Sequence, residues 1–284
     1  MGVSGSLSLT YSIENDKRDE IHQNEDIVAL STGSDLKSVF FSDNGVGILT
    51  SHTFPLFFVH CLIFWKDPCI YDSEGVLLVL QHWRSTGQGR WVPLLDTKLL
   101  DRLAQGRKEE SYWPVAVAQN KFHCIILKGG DTEPYFPRPL LSEFDFKMPV
   151  LTAPPKERDA DGEQSANDSF RFEEAFVRES LLLSLLEDVV TSTNATRDQR
   201  AEIVRKELEV DKILLQMLAV ECREGEERGM KALELVELMK DRNGKMLEAA
   251  VKVAQRYDRS VLEEKIREVG ERRLMGLDDD DELA

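Results

Sequence analysis

Leu151-Thr-Ala-Pro-Pro-Lys-Glu-Arg-Asp-Ala-Asp-Gly-Glu-Gln-Ser-Ala-Asn-Asp168 holds prolines, a glycine and charges where a packed segment would hold apolar residues. That is the composition of a linker. Residues 1–150, before it, carry most of the aromatic residues and prolines in short β-type runs. From Ser169 onward there is no proline, and apolar residues recur at helical spacing. The chain therefore reads as α+β (mixed): a β-rich part over 1–150, a linker over 151–168, a bundle of about five helices over 169–275 and an acidic tail over 276–284.

In the β-rich part, Leu7 to Ile13, Ile27 to Leu30 and Leu36 to Phe41 are strand candidates. Cys69-Ile-Tyr-Asp-Ser-Glu-Gly-Val-Leu-Leu-Val-Leu80 reads as two strands joined by a Ser-Glu-Gly turn. Trp91 to Leu95, Tyr112 to Val117 and Phe122 to Leu127 follow. Leu141 to Met148 alternates apolar and polar, the period of a half-buried strand. Many short strands at near-regular spacing predict a sandwich, barrel or propeller. One stretch does not fit. Val46 to Trp65 is apolar, but its core, Phe54 to Trp65, is only 12 residues long and contains Pro55 and His60. A membrane span needs roughly 20 residues, so no membrane is implied and a buried strand pair is the plain reading.

In the helical part, Phe172, Phe176, Leu183, Leu186 and Val190 form one apolar face of a first helix, about 169–190. Thr196 and Gln199 have the spacing of a capping box for a second helix, which carries Ile203, Val210, Leu214, Met217 and Leu218 and breaks at Gly225. A third, about 226–241, is expected to end at Asn243-Gly244, and a fourth runs from Lys245 to Tyr257. Ser260 with Glu263 suggests a second capping box, opening a fifth helix through Leu274. Ala219, Ala249, Ala250 and Ala254 are small enough to floor a groove for an amphipathic peptide helix, with Leu215 or Val253 as walls. Ordinary core packing is the competing reading of the same stripes.

Composition narrows the function. The net charge is -16, and residues 156–284 supply 33 acidic against 22 basic side chains. Such a chain, with no basic stripe, repels a phosphate backbone. Cys61, Cys69, Cys124 and Cys222 form no C-x-x-C pair, and the five histidines do not fall at zinc spacings, so reduced thiols and no metal are expected. No basic n-region with an apolar core opens the chain. No phosphate loop, nucleophile elbow or metalloprotease motif appears, and Asp72 and Asp96 read as turn residues. No enzyme and no cofactor are implied.

Ile70-Tyr-Asp-Ser-Glu-Gly-Val76, Trp91-Val-Pro-Leu-Leu-Asp-Thr97, Tyr112-Trp-Pro-Val115, Cys124 to Gly129 and Pro137 to Pro149 together resemble the SepB, minichromosome-loss and WD-repeat/HMG-box DNA-binding protein family of replisome adaptors. Asp211 to Leu218, Lys245 to Arg256 and Leu262 to Arg267 continue the resemblance. It implies a β-propeller followed by a helical bundle, trimerised through the propellers in the nucleus. It also implies a non-enzymatic link between the replicative helicase (GINS), polymerase alpha and other replisome proteins, made by short partner helices docked between the second and fourth bundle helices. The implied groove positions are Leu215 and Ala219 on the second helix, and Ala249 and Val253 on the fourth. The alternative is a weak nucleic-acid-binding chromatin module.

Three departures from the family pattern matter. A propeller takes about 40–45 residues per blade and 4–8 blades, so residues 1–150 are expected to be an incomplete propeller, and trimerisation is not expected of them. No HMG box is expected after the bundle. The family runs directly from a Phe-Ser-x-x-Gly strand end to the Tyr-Asp-Ser-x-Gly hairpin, whereas here Val46 to Asp67 intervenes. That segment is expected to be a translated intron.

Overall fold

The computed structural model describes residues 2–4, 7–14, 17–24, 36–42, 67–84, 88–100, 110–118, 120–134, 140–150, 163–192, 196–225, 228–241 and 243–275. The expected strand at 27–30, the apolar stretch 46–65 and the acidic tail lie outside them. Among the described residues are ten strands: β1 (Gly2–Ser4), β2 (Leu7–Glu14), β3 (Lys17–Asn24), β4 (Leu36–Phe41), β5 (Pro68–Asp72), β6 (Val76–Gln81), β7 (Arg90–Asp96), β8 (Glu110–Ala118), β9 (Lys121–Lys128) and β10 (Leu141–Asp145). They form three antiparallel sheets, β1-β2-β3, β4-β5-β6-β7 and β8-β9-β10, and none of these closes on itself. Five helices follow: α1 (Glu163–Ser192), α2 (Arg197–Glu224), α3 (Gly229–Glu237), α4 (Lys245–Arg256) and α5 (Ser260–Leu274). The fold is α+β, as the sequence implies.

The β5–β6 hairpin shows how local sequence sets this architecture. Asp72 Oδ1 accepts the amide of Val76 at 2.8 Å, and Gly75 takes the left-handed φ of 86° that the turn requires. Thr97 then reaches the Gly75 carbonyl through both its amide (3.0 Å) and its hydroxyl (2.8 Å), tying β7 to the turn. From Leu77 to Gln81, β6 is buried at every residue, as suits an apolar run flanked by strands on both sides. Ile70, Leu78, Leu80 and Trp91 pack together, and Tyr71 stacks on Phe122 at 5.6 Å between ring centroids. Buried Gln81 is satisfied at both ends, by Arg90 (2.9 Å) and by Ser184 of α1 (2.5 Å). Asp188, one turn further along α1, takes both the amide of His82 (2.9 Å) and its ring Nδ1 (2.6 Å).

The helix ends differ in how well the sequence announces them. The Thr196–Gln199 capping box forms in both directions: Gln199 Oε1 accepts the Thr196 amide at 2.7 Å, and Thr196 Oγ1 accepts the Gln199 amide at 3.3 Å. The Ser260–Glu263 box does not form. Ser260 is already the first helical residue of α5, and Glu263 Oε1 is taken by Gln255 and Arg267 instead. Gly244, expected beyond the end of the third helix, stands as the N-cap of α4 at φ 69°, and α3 stops at Glu237. α1 begins at Glu163, inside the stretch with linker composition, because nothing from Glu163 to Asp168 breaks a helix.

The chain divides into two compact units, 1–149 with 184–199, and 150–183 with 200–284. α1 therefore contributes to both, whereas its sequence texture assigns it wholly to the helical part. Within the helical unit, Leu218, Ala232, Val236, Ala250, Ala254 and Ile266 anchor one buried cluster, and Leu183, Val210, Leu214, Leu235 and Met239 form another. No helix among the described residues is long and apolar enough to cross a membrane.

Candidate functional site

Leu214 and Leu218 of α2 are fully buried, as are Ala250 and Ala254 of α4. Leu215 and Ala219 each follow one of the leucines by one residue, and Ala249 and Val253 each precede one of the alanines. One residue is about 100° of helix rotation, so all four lie on the flank of the core stripe. All four are half-buried. Leu215 and Val253 pack against the same cluster, which holds residues of both helices. Ala219 and Ala249 lie one turn from them. The flanks so formed are apolar, small at two of four positions, and accessible.

Two carboxylates set the course of α2 and α4. Asp211, one turn before Leu215, is 3% exposed. Its Oδ1 accepts the amide of Lys240 at 2.8 Å and its Oδ2 that of Asp241 at 2.9 Å. Asp241 in turn accepts the amides of Met246 (2.9 Å) and Leu247 (2.8 Å), two of the orphan donors in the first turn of α4. Burial pushes the Asp211 carboxyl above the usual carboxylate range. The two amides oppose the rise, and the charges of Asp241 and Glu207 add to it.

Two arginines of the α5 region close other helix ends. Arg259 donates from Nε (3.2 Å) and from its terminal nitrogen (2.8 Å) to the carbonyl of Cys222, in the last turn of α2. Arg273 reaches the carbonyls of Met239 (2.7 Å) and Glu237 (2.8 Å), beyond and at the end of α3. Glu221, 3% exposed, is paired with Lys231 at 2.6 Å and Arg228 at 3.3 Å. Glu221, Arg228 and Arg259, with Met230, Leu233 and Val261, line a cleft of about 500 Å³ that does not include the four groove positions. Burial also pushes the Cys222 thiol up.

The periodicity reading missed the carboxylates and arginines. For Asp211 a signal existed, since an acid sits beside Val210 and one turn before Leu214-Leu215 on a face that must be buried. For Arg259 and Arg273 none did, because their acceptors are backbone carbonyls distant in sequence. Asp72 and Asp96 have the turn roles read for them, accepting the amides of Val76 and Lys98. Cys69, Cys124 and Cys222 are buried and form no disulfide. Among the described residues no cluster of His, Cys, Asp or Glu could hold a metal ion.

Comparison with known proteins matches residues 1–150 to the middle region of the minichromosome loss protein Mcl1, and residues 170–276 to the C-terminal domain of the DNA polymerase alpha-binding protein Ctf4. The chain is similar to minichromosome loss protein 1 of Schizosaccharomyces pombe, with 42% identity over 94% of this chain and 28% of that protein. It is also similar to the DNA polymerase alpha-binding protein of Saccharomyces cerevisiae, at 31% identity over 74% of this chain and 25% of that protein. To the protein ENHANCER OF LHP1 1 of Arabidopsis thaliana it is 26% identical, over 87% of this chain and 22% of that protein. The chain spans about a quarter of the length of these relatives.

Proposed function

This chain belongs to the Mcl1/Ctf4 family, and on that premise we propose that it serves as a non-enzymatic adaptor in nuclear DNA replication. Its task in this reading is to tether polymerase alpha, and the GINS component of the replicative helicase, through short peptide helices laid between α2 and α4. The supporting observation is the pair of accessible apolar flanks, Leu215 with Ala219 and Ala249 with Val253, beside one core cluster. An amphipathic helix presents anchors at i, i+3 and i+4, and small residues facing them let it approach closely. The name of the S. cerevisiae relative, a DNA polymerase alpha-binding protein, agrees with the first partner.

A docked helix would bury a few leucine-sized anchors at about 1.5–3 kcal/mol each. Ordering the peptide and losing its free motion cost several kcal/mol, so a micromolar dissociation constant, about -8 kcal/mol, is the expected scale. The four-stranded sheet β4-β5-β6-β7 has the size of one propeller blade. The trimer that the family resemblance implies would multiply the grooves and strengthen weak single contacts; no trimer is expected of residues 1–150, so this chain is expected to bind through one groove, on the micromolar scale. The test is titration of the chain into fluorescently labelled helical peptides from polymerase alpha and GINS. Saturable micromolar binding supports the adaptor, and no binding by either peptide up to millimolar chain sinks it.

A further inference from the structure

Ser42 and Asp67 are 25 positions apart in sequence and closed on each other in space. The Ser42 amide donates to the Asp67 carbonyl at 2.8 Å, and the Asp67 amide donates to Ser42 Oγ at 3.0 Å. The next pair inward, Phe41 and Pro68, begins the β4–β5 ladder. Asp67 directly precedes β5. It is 4% exposed, and its Oδ1 accepts from Trp83 Nε1 (2.9 Å) and from Arg84 (2.8 Å), whose guanidinium lies 4.3 Å from the centroid of the Trp83 ring. On sequence alone Asp67 goes with the apolar segment; its bonds tie it to the end of the β4–β5 ladder.

An antiparallel pair closed at Ser42 and Asp67 needs only a short turn. Asp43-Asn44-Gly45, which follows Ser42, has the makeup of a three-residue hairpin loop: a type I turn over Asp and Asn, then glycine at the left-handed position. Val46 to Lys66 has another character. Lys66 is its one Asp, Glu, Lys or Arg, in a chain where such residues make up 31%. We propose that Val46–Lys66 is translated from an intron, and that the mature protein joins Gly45 directly to Asp67.

The genetic code fits these bounds. Every valine codon begins with GT and one lysine codon, AAG, ends with AG, the dinucleotides at which introns start and finish. The 21 codons from Val46 to Lys66 make 63 nucleotides, so reading through them shifts no frame. Removing them leaves every residue of the β4–β5 ladder, and Asp67 with its partners, in place.

Sequencing the transcript across these codons tests the join, and tryptic peptides of the native protein test it independently. A spliced product yields one peptide from Ser38 to Arg84 in which Gly45 adjoins Asp67; an unspliced one is cut after Lys66 and yields a peptide beginning at Asp67. The joined message with the fused peptide is expected, and both messages together would still establish the join. A message retaining all 63 nucleotides, with the Asp67-initiated peptide and no joined form, overturns the proposal. The chain lacking 46–66 should also fold, and melt no lower than the full chain; failure of the shortened chain alone to fold overturns it as well.

Discussion

The amide of Asp241 donates to Asp211 Oδ2 at 2.9 Å, so the residue whose carboxylate binds the first-turn amides of α4 is itself held by α2. Leu215 lies one turn beyond Asp211, and Ala249 lies within the first turns of α4. The two walls of the proposed groove are thus referenced to one pair of carboxylates. A hydrogen bond to a charged group stabilises by about 1.5–3 kcal/mol, and leaving its buried partner unsatisfied costs a similar amount.

Asp211→Ala is therefore expected to lower stability by about 2–4 kcal/mol, because it strands two part-buried amides. Asp241→Ala removes an N-cap type interaction and should cost about 1–2 kcal/mol. Asn at either position keeps one acceptor and should recover part of the loss. Urea denaturation of the four variants checks the order. A change below about 0.5 kcal/mol for Asp211→Ala, the range of ordinary surface substitutions, would show that this relay does not brace the helices.

The same carboxylate predicts a pH dependence. Asp211 is raised above its ordinary range in the fold, first by burial, so the folded chain binds a proton there at a pH where the unfolded chain does not. The stability linked to this group is fully present below the ordinary carboxylate pKa and is lost as pH rises through the elevated value. Relative to Asp211→Asn, the unmodified chain should gain stability between pH 7 and pH 4. Exposed Glu74 and Glu143 and half-buried Glu263, held low by Lys98, Lys121 and Arg267, act in the opposite direction but are common to both chains. Parallel denaturation profiles for the two chains would rule the linkage out.

Much of this fold was legible because its signals are local. The Leu36–Phe41 strand, the hairpin at Ser-Glu-Gly and the Thr196–Gln199 box each depend on residues within one turn or strand of each other. What escaped depends on distant partners. Ser260–Glu263 has the spacing of a cap, yet Gln255 and Arg267 compete for the Glu263 carboxylate and the helix starts at Ser260 itself. The assignment of 184–199 with the strands rests on pairs more than 100 positions apart, Gln81 with Ser184 and His82 with Asp188. At the site, the periodicity gave the stripes on α2 and α4, but not the carboxylates that orient them.

Gly75 offers a test of the β unit. A Cβ there would stand 2.2 Å from Thr97 Oγ1, and the φ of 86° is strained for any side chain. Gly75→Ala should cost about 1–3 kcal/mol from the backbone alone, with a further loss from displaced Thr97. Combining it with Thr97→Ala removes the clash but not the strain, so the double variant should be more stable than the two single losses summed. Strict additivity would mean that the turn relaxes away from Thr97.

The groove makes the sharpest functional prediction. Ala249 and Leu215 are half-buried flank residues, not members of the fully buried stripes beside them. Ala249→Glu would fill the space a peptide helix needs and set an unpaired charge against its apolar anchors. Leu215→Glu does the same from the opposite wall. Each should weaken binding of polymerase alpha and GINS peptides at least tenfold, about 1.4 kcal/mol, while the melting temperature stays within a few degrees. Ala250→Glu serves as the contrast: it introduces a charge at a fully buried position and should unfold the helical unit. If Ala249→Glu also unfolds it, Ala249 is core and is withdrawn from the groove. If Ala249→Glu and Leu215→Glu both fold and bind with unchanged affinity, the peptide lies elsewhere on the chain and the α2–α4 assignment fails.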